Sequence, residues 1–202
     1  MKLPLQSAAA LLLVGLLAAC QSGNESVPAQ ATNPVASSTY AERSAASQAA
    51  APRQNLSVAA TAAFTPVQEE ILLYVNQARS KSCLCGSTTY PAVAPLALNA
   101  QLNSAAQKHA TDMATYNYFS HTGRDGSKPW DRMKREGYTW RYAGENIAAG
   151  YTTARAVVDG WLRSPGHCAN LMNKNFKDLG VGYAYSASST YKQYWVQNFG
   201  AK

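Results

Sequence analysis

No apolar run in this chain is long enough to cross a bilayer as a mature helix; the longest clear candidate, Ala8 to Leu17, is too short. Charge runs are also missing. Nothing exceeds the pair Lys134-Arg135, and basic residues do not alternate with aromatics as they do in nucleic-acid modules. Nucleic acid is therefore not the expected partner, although eighteen Lys and Arg against eleven Asp and Glu leave a formal net charge of +7. No Gly-x-Ser-x-Gly elbow occurs, which removes the commonest serine-hydrolase signature. Histidine is scarce, at three residues, and cysteine stands at four.

What is present begins with an export signal. Lys2 supplies a positive start, Ala8 to Leu17 an apolar core, and Leu17-Ala18-Ala19-Cys20 a small-residue cleavage site. This ending resembles a bacterial lipobox, with Cys20 lipidated and anchored through its acyl chains at roughly 0.8 kcal/mol per buried methylene. Residues 1–20 are read as a signal peptide with lipobox. The following Gln21-Ser22, without aspartate, points to the outer membrane, and secretion is the alternative. Residues 21–63 are mostly Ala, Ser, Gln, Thr, Pro and Asn with little bulk, so they cannot offset ordering entropy by burial; they read as a disordered tether.

Residues 64–202 have the length of one ordinary domain and carry fifteen Lys and Arg against nine Asp and Glu. Helices are expected over Pro66–Ser80, Asn99–Tyr116 and Pro129–Glu136, with another starting at Thr152 or Thr153 and ending at Pro165-Gly166. Strands are expected over Tyr138–Tyr142, Leu179–Ser186 and Tyr191–Phe199, the last two forming a hairpin. Cys83 to Pro95 reads as loop. Helices do not alternate regularly with strands, so the class is α+β. Trp130, Trp140, Trp161 and Trp195 are expected to supply core area. Setting Cys20 aside leaves Cys83, Cys85 and Cys168: one disulfide and one spare thiol in an oxidising compartment. Cys83 and Cys85 are too close to bridge each other, so one of them pairs with Cys168; Cys85 is favoured because Gly86 marks a turn.

Three residues stand in motif-like segments: His121 in Phe-Ser-His-Thr-Gly, Glu145 in Gly-Glu-Asn-Ile-Ala and His167 in Ser-Pro-Gly-His-Cys. Two imidazoles and a carboxylate are donors that suit zinc or another divalent cation. The spacing is too long for one helix, so only tertiary folding gathers them. Each also has a structural explanation: a capped helix end for His121, a surface carboxylate for Glu145, packing against a disulfide for His167. His109 falls in an apolar helical stripe and reads as a buried, singly hydrogen-bonded histidine. Ser120 and His121 are adjacent and would point apart in extended chain, which argues against a serine nucleophile there.

Taken together, Leu96–Asn99, Gln107–Ala114, Tyr118–Gly123, Gly144–Ala148, Val158–Trp161, Ser164–Asn170 and Gly180–Tyr183 resemble the CAP superfamily of cysteine-rich secretory, antigen 5 and pathogenesis-related proteins, and bacterial SCP-domain envelope proteins above all. The resemblance covers nearly all of residues 64–202. It implies an α–β–α sandwich with an open central cleft, in which His121, Glu145 and His167 are the matching cleft residues. A further acid, in a Trp-x-x-Glu segment, is missing: Ser164 stands at that offset from Trp161. The remaining three would hold zinc with water in the open position. Such proteins are known mostly for binding, so no catalytic residue is assigned. The leading expectation is a monomeric, membrane-tethered protein that binds a small lipid or cell-wall component. The alternatives are a metal-dependent hydrolase of envelope peptide or glycan, and a protein-interaction module with a vestigial cleft.

Overall fold

The computed structural model describes residues 64–202; the export signal, Cys20 and the tether lie outside the described residues. Helix α1 (Pro66–Arg79) opens with a capping box, in which Thr65 and Gln68 satisfy each other's backbone N–H groups, and with proline in its first turn. A short hairpin, β1 (Cys83–Cys85) and β2 (Thr88–Tyr90), occupies the stretch read as loop. After β3 (Ala97–Leu98), Asn99 caps α2 (Ala100–Tyr116), and Asn117 ends it in the left-handed conformation at φ 51°. Then follow α3 (Pro129–Arg135), β4 (Tyr142–Ala149), α4 (Ala154–Arg163), α5 (Pro165–Leu171), β5 (Asp178–Tyr185) and β6 (Gln193–Ala201).

The four long-range strands form one sheet in the order β3-β5-β6-β4, antiparallel except for β3 alongside β5. Alternation along each strand assigns two faces. Leu179, Val181, Trp195 and Phe199 pack with Ile71, Val75, Val157 and Trp161 from α1 and α4. Ile147, Tyr194 and Val196 pack with Ala106, Ala110 and Met113 from α2. The result is three layers, α–β–α, with β4 at one sheet edge. On the α2 face β5 offers Gly180 and Gly182, which lets the helix backbone lie directly on the strand. A Cβ at Gly180 would fall on the carbonyl group of Leu102, and one at Gly182 on that of Ala106, both far inside van der Waals contact. Gly180→Ala is therefore expected to cost about 3 kcal/mol, since backbone rather than a side-chain end must retreat; urea denaturation measures it, and a cost under about 0.5 kcal/mol would show that α2 shifts freely.

Several expectations need correction. The strand placed at Tyr138–Tyr142 lies later: β4 starts at Tyr142, while Tyr138 is fully buried and donates its phenol to Asp178 at 2.6 Å. Pro165-Gly166 ends α4 as expected but also begins α5, because proline fits the first turn of a helix as well as the position after one. Trp161 and Trp195 are buried, with indole N–H groups on Ile147 O and Tyr151 O at 3.3 and 2.8 Å, whereas Trp130 and Trp140 are 49% and 40% exposed and are not core. The Cys85–Cys168 disulfide is present. The expected spare thiol is not: Cys83 is disulfide-bonded as well.

Candidate functional site

Glu145 pairs with Asn198 in the β4–β6 ladder, two places before Ile147, so its side chain enters the α2 face of the sheet. There it is buried, and a buried carboxylate needs charge and hydrogen-bond partners. It has both. Arg132 of α3 donates Nη2 to Oε2 at 2.7 Å, and His121 places Nδ1 2.7 Å from Oε1. With its amide oriented to satisfy both neighbours, Asn198 also donates to Oε2 at 3.2 Å while accepting from the Ala106 N–H at 3.1 Å. A carboxylate can only accept, so His121 Nδ1 carries a proton, and the carboxylate leaves Nε2 unengaged. Arg132 grips the same loop from below, donating Nη1 to His121 O at 3.1 Å and Ser127 O at 3.0 Å. His109 fixes the loop from the other side through Nε2 to Ser120 O at 2.9 Å. It is buried as expected, and desolvation holds its pKa below the ordinary imidazole value.

His167 reaches the same sheet edge from the opposite layer. Asn146, next to Glu145 on the strand, points to the other face and donates Nδ2 to His167 O at 3.2 Å and to Gln197 Oε1 at 3.2 Å. Asn170 closes this amide set, donating to Asn146 Oδ1 at 2.9 Å and to Glu145 O at 3.3 Å. The neighbouring Cys168 ties α5 to Cys85. The His167 ring is half-buried and makes no hydrogen bond to a described residue. Burial first, and then the charge of His121, hold its pKa below the ordinary value, so it is neutral at pH 7 with a lone pair to offer.

Two of the three sequence-chosen residues thus meet directly, His121 and Glu145, and the third stands across the edge strand from them. The reason is the strand period: Glu145 and Asn146 face opposite layers, and His167 belongs to the layer of Asn146. As a set of three metal donors, His121, Glu145 and His167 do not fit. No group of three or more His, Cys, Asp and Glu is placed to hold a metal among the described residues, and both Glu145 oxygens are already engaged. The two imidazoles are near enough for the charge of one to act on the other, and Glu145 stands behind His121 as its orienting partner. Arg132 is the functional residue that sequence reasoning missed. The available signal was Glu145 itself, whose place before the apolar Ile147-Ala148-Ala149 run requires a buried cation nearby.

Beside the histidines, a cavity of about 300 Å³ runs along the β4 edge, lined by Phe119, Ile147, Tyr151, Trp161, Tyr191 and His167 among others. Phe119 and Tyr191 lie 5.9 Å apart between ring centres, and both are partly exposed at its mouth. Ser164, where the resemblance calls for an acid, also lines it, leaving the wall without a carboxylate.

Residues 72–199 match the cysteine-rich secretory protein family. The uncharacterized protein YkwD of Bacillus subtilis (strain 168) is 33% identical over 174 residues, covering 85% of this chain and 61% of that protein. An extracellular protein containing an SCP domain from Bacillus anthracis str. Ames is 32% identical with a TM-score of 0.55, over 69% of this chain and 45% of that one. An outer surface protein from Borrelia burgdorferi is 23% identical with a TM-score of 0.50, over 55% of this chain and 80% of that one; at this identity the likeness concerns fold alone. The chain spans about three fifths of the length of YkwD and less than half of the Bacillus anthracis protein.

Proposed function

Because the chain belongs to the cysteine-rich secretory protein family, we propose that it is an extracytoplasmic binding protein whose edge cavity takes the apolar part of a small lipidic ligand. The observation that carries this reading is an aromatic-lined cavity that holds the His167 ring in its wall, beside the His121–Glu145 pair, with no carboxylate of its own. That combination suits an apolar body with a polar head. Turnover has less support. Both oxygens of Glu145 are engaged, and Ser164 replaces the other acid, so no described carboxylate stands ready as general base. Export is supported by the signal-like N-terminus and by the similar Bacillus anthracis protein, which is described as extracellular.

A sixteen-carbon fatty acid is a suitable probe. Displacement of a fluorescent acyl reporter should give a saturable isotherm, and Tyr191→Ala should weaken it about tenfold, as burial of an aromatic ring against an acyl chain contributes at least that much. Saturation that is indifferent to Tyr191 would place the ligand elsewhere, and absence of saturation would remove the lipidic reading.

A divalent ion such as zinc would be held by His121 Nε2 and His167, with Glu145 orienting the first imidazole. It would supply a positive centre for an anionic head group. Calorimetric zinc titration should then show binding abolished by His167→Ala, while Glu145→Gln weakens it by roughly 10–100-fold without abolishing it. Complete loss in Glu145→Gln would make that residue a ligand instead.

A further inference from the structure

Another hollow, about 500 Å³, lies between α2, the Gly123–Ser127 loop and α3, and the cleft reading makes no use of it. Its carboxylates are spoken for. Glu136 accepts from Lys108 Nζ at 2.6 Å and from Ser104 at 2.7 Å; Asp125 accepts from Arg135 Nη1 at 2.8 Å; Asp112 accepts from the Tyr118 phenol. The hydrogen bonds and cations around Asp125 and Glu136 hold both well ionised, below the usual carboxylate range. Two guanidinium groups that line it keep donors which none of these carboxylates takes. Arg124 lies 3.5 Å over the Tyr116 ring and makes no ion pair among the described residues. Arg132 is 7% exposed, and its Nε–H is buried without a hydrogen-bond partner, although both Nη atoms are used. A buried donor left unpaired costs on the order of 1–3 kcal/mol, which an acceptor would recover.

From this juxtaposition we propose that the hollow is a second ligand site, receiving the carboxylate or phosphate of a small anionic ligand between Arg124 and the Nε edge of Arg132. An oxyanion is the fitting chemistry, because guanidinium presents parallel donors to it and the Tyr116 ring already holds Arg124 in place. Ligands of other kinds fit less well. A cation would meet Asp125 and Glu136 already paired with Arg135 and Lys108, and an apolar body would strand the two guanidinium groups. The site is linked to the cleft, since Arg132 also holds Glu145 and the backbone of His121.

The test is a titration of the full, nitrogen-15-labelled chain, following the Nε–H signals of Arg124 and Arg132 by NMR. Sodium phosphate and sodium acetate are added separately, with sodium chloride keeping ionic strength constant. Both signals should move on one saturable isotherm with at least one of the two oxyanions, and whichever saturates names the head group. Arg124→Ala should weaken that isotherm tenfold or more, while His167→Ala, which disables the cleft, should leave it unchanged. Drift that is linear and equal with all three salts would overturn the proposal, as would saturation with the same midpoint in Arg124→Ala. Failure of fatty-acid or zinc binding would not bear on it, so the two readings fall separately.

Discussion

Replacing Arg132 by methionine is expected to cost about 3–5 kcal/mol of unfolding free energy, one of the two largest losses expected of any change in the domain. The side chains of Arg132 and Glu145 are 8% and 2% exposed, so the substitution leaves a carboxylate uncompensated in the interior. It also strips a donor from His121 O and Ser127 O, which loosens the loop carrying His121. Exposed pairs behave otherwise: Arg135 and Asp125 are each more than half exposed, and solvent screening leaves such a pair little net effect on stability. Urea denaturation separates the cases. Should Arg132→Met alone fail to fold, the double variant Arg132→Met with Glu145→Leu should restore most of the stability, because removing both charges removes the penalty for burying either. A loss below about 1 kcal/mol in the single variant would mean that solvent reaches the pair, and the fixed orientation of His121 argued from it would not hold.

The layers of this fold were legible in the sequence wherever a local signal and the tertiary demand coincide. Thr65-Pro66 and Asn99 are capping residues, and the helices begin there. Leu179, Val181 and Tyr183 alternate with Gly180, Gly182 and Ala184, and β5 shows the same two faces, its small residues under α2. The site was legible as a list of residues but not as a geometry. Whether Glu145 and His167 meet depends on which face of β4 each approaches, and that depends on a strand boundary. Tyr138 and Trp140 look like strand residues, but one fills a gap beside Met133 and the other is substantially exposed. Arg132 lies in a basic helix whose other cations, Lys134 and Arg135, face solvent, so no pattern in its own segment distinguishes it. Its distinction comes from Glu145, thirteen residues later, and appears only when the sheet edge brings the two together.

Loss of the Cys85–Cys168 bridge, by the double substitution to serine, is expected to cost about 4 kcal/mol and to lower the melting temperature by on the order of 10 °C. The bridge closes a loop with a sequence separation of 83, so the unfolded chain regains considerable freedom when it is cut. The native-state consequence is local. α5 is a helix of seven residues, too short to persist without tertiary contacts, and three attachments hold it: the bridge, the Asn146–Asn170 amide set, and Arg79. Arg79 is wholly buried and meets no carboxylate among the described residues. It donates to Leu171 O at 2.6 Å and Asn173 O at 3.1 Å, so carbonyl oxygens at and just past the end of α5 stand in for a counter-ion. Burial lowers its pKa to about 10, which still leaves it charged at pH 7. Two of the three attachments survive the substitution, so the domain should fold at 25 °C with α5 as its least stable helix. Amide exchange at Cys168 to Leu171 should accelerate more than exchange in α2, and zinc affinity at His167 should fall. The His121–Glu145–Arg132 set, on the other face of the sheet, should be unaffected. Uniform acceleration across the domain would show that the bridge acts through the unfolded chain alone, and that His167 owes its position to Asn146 and Arg79.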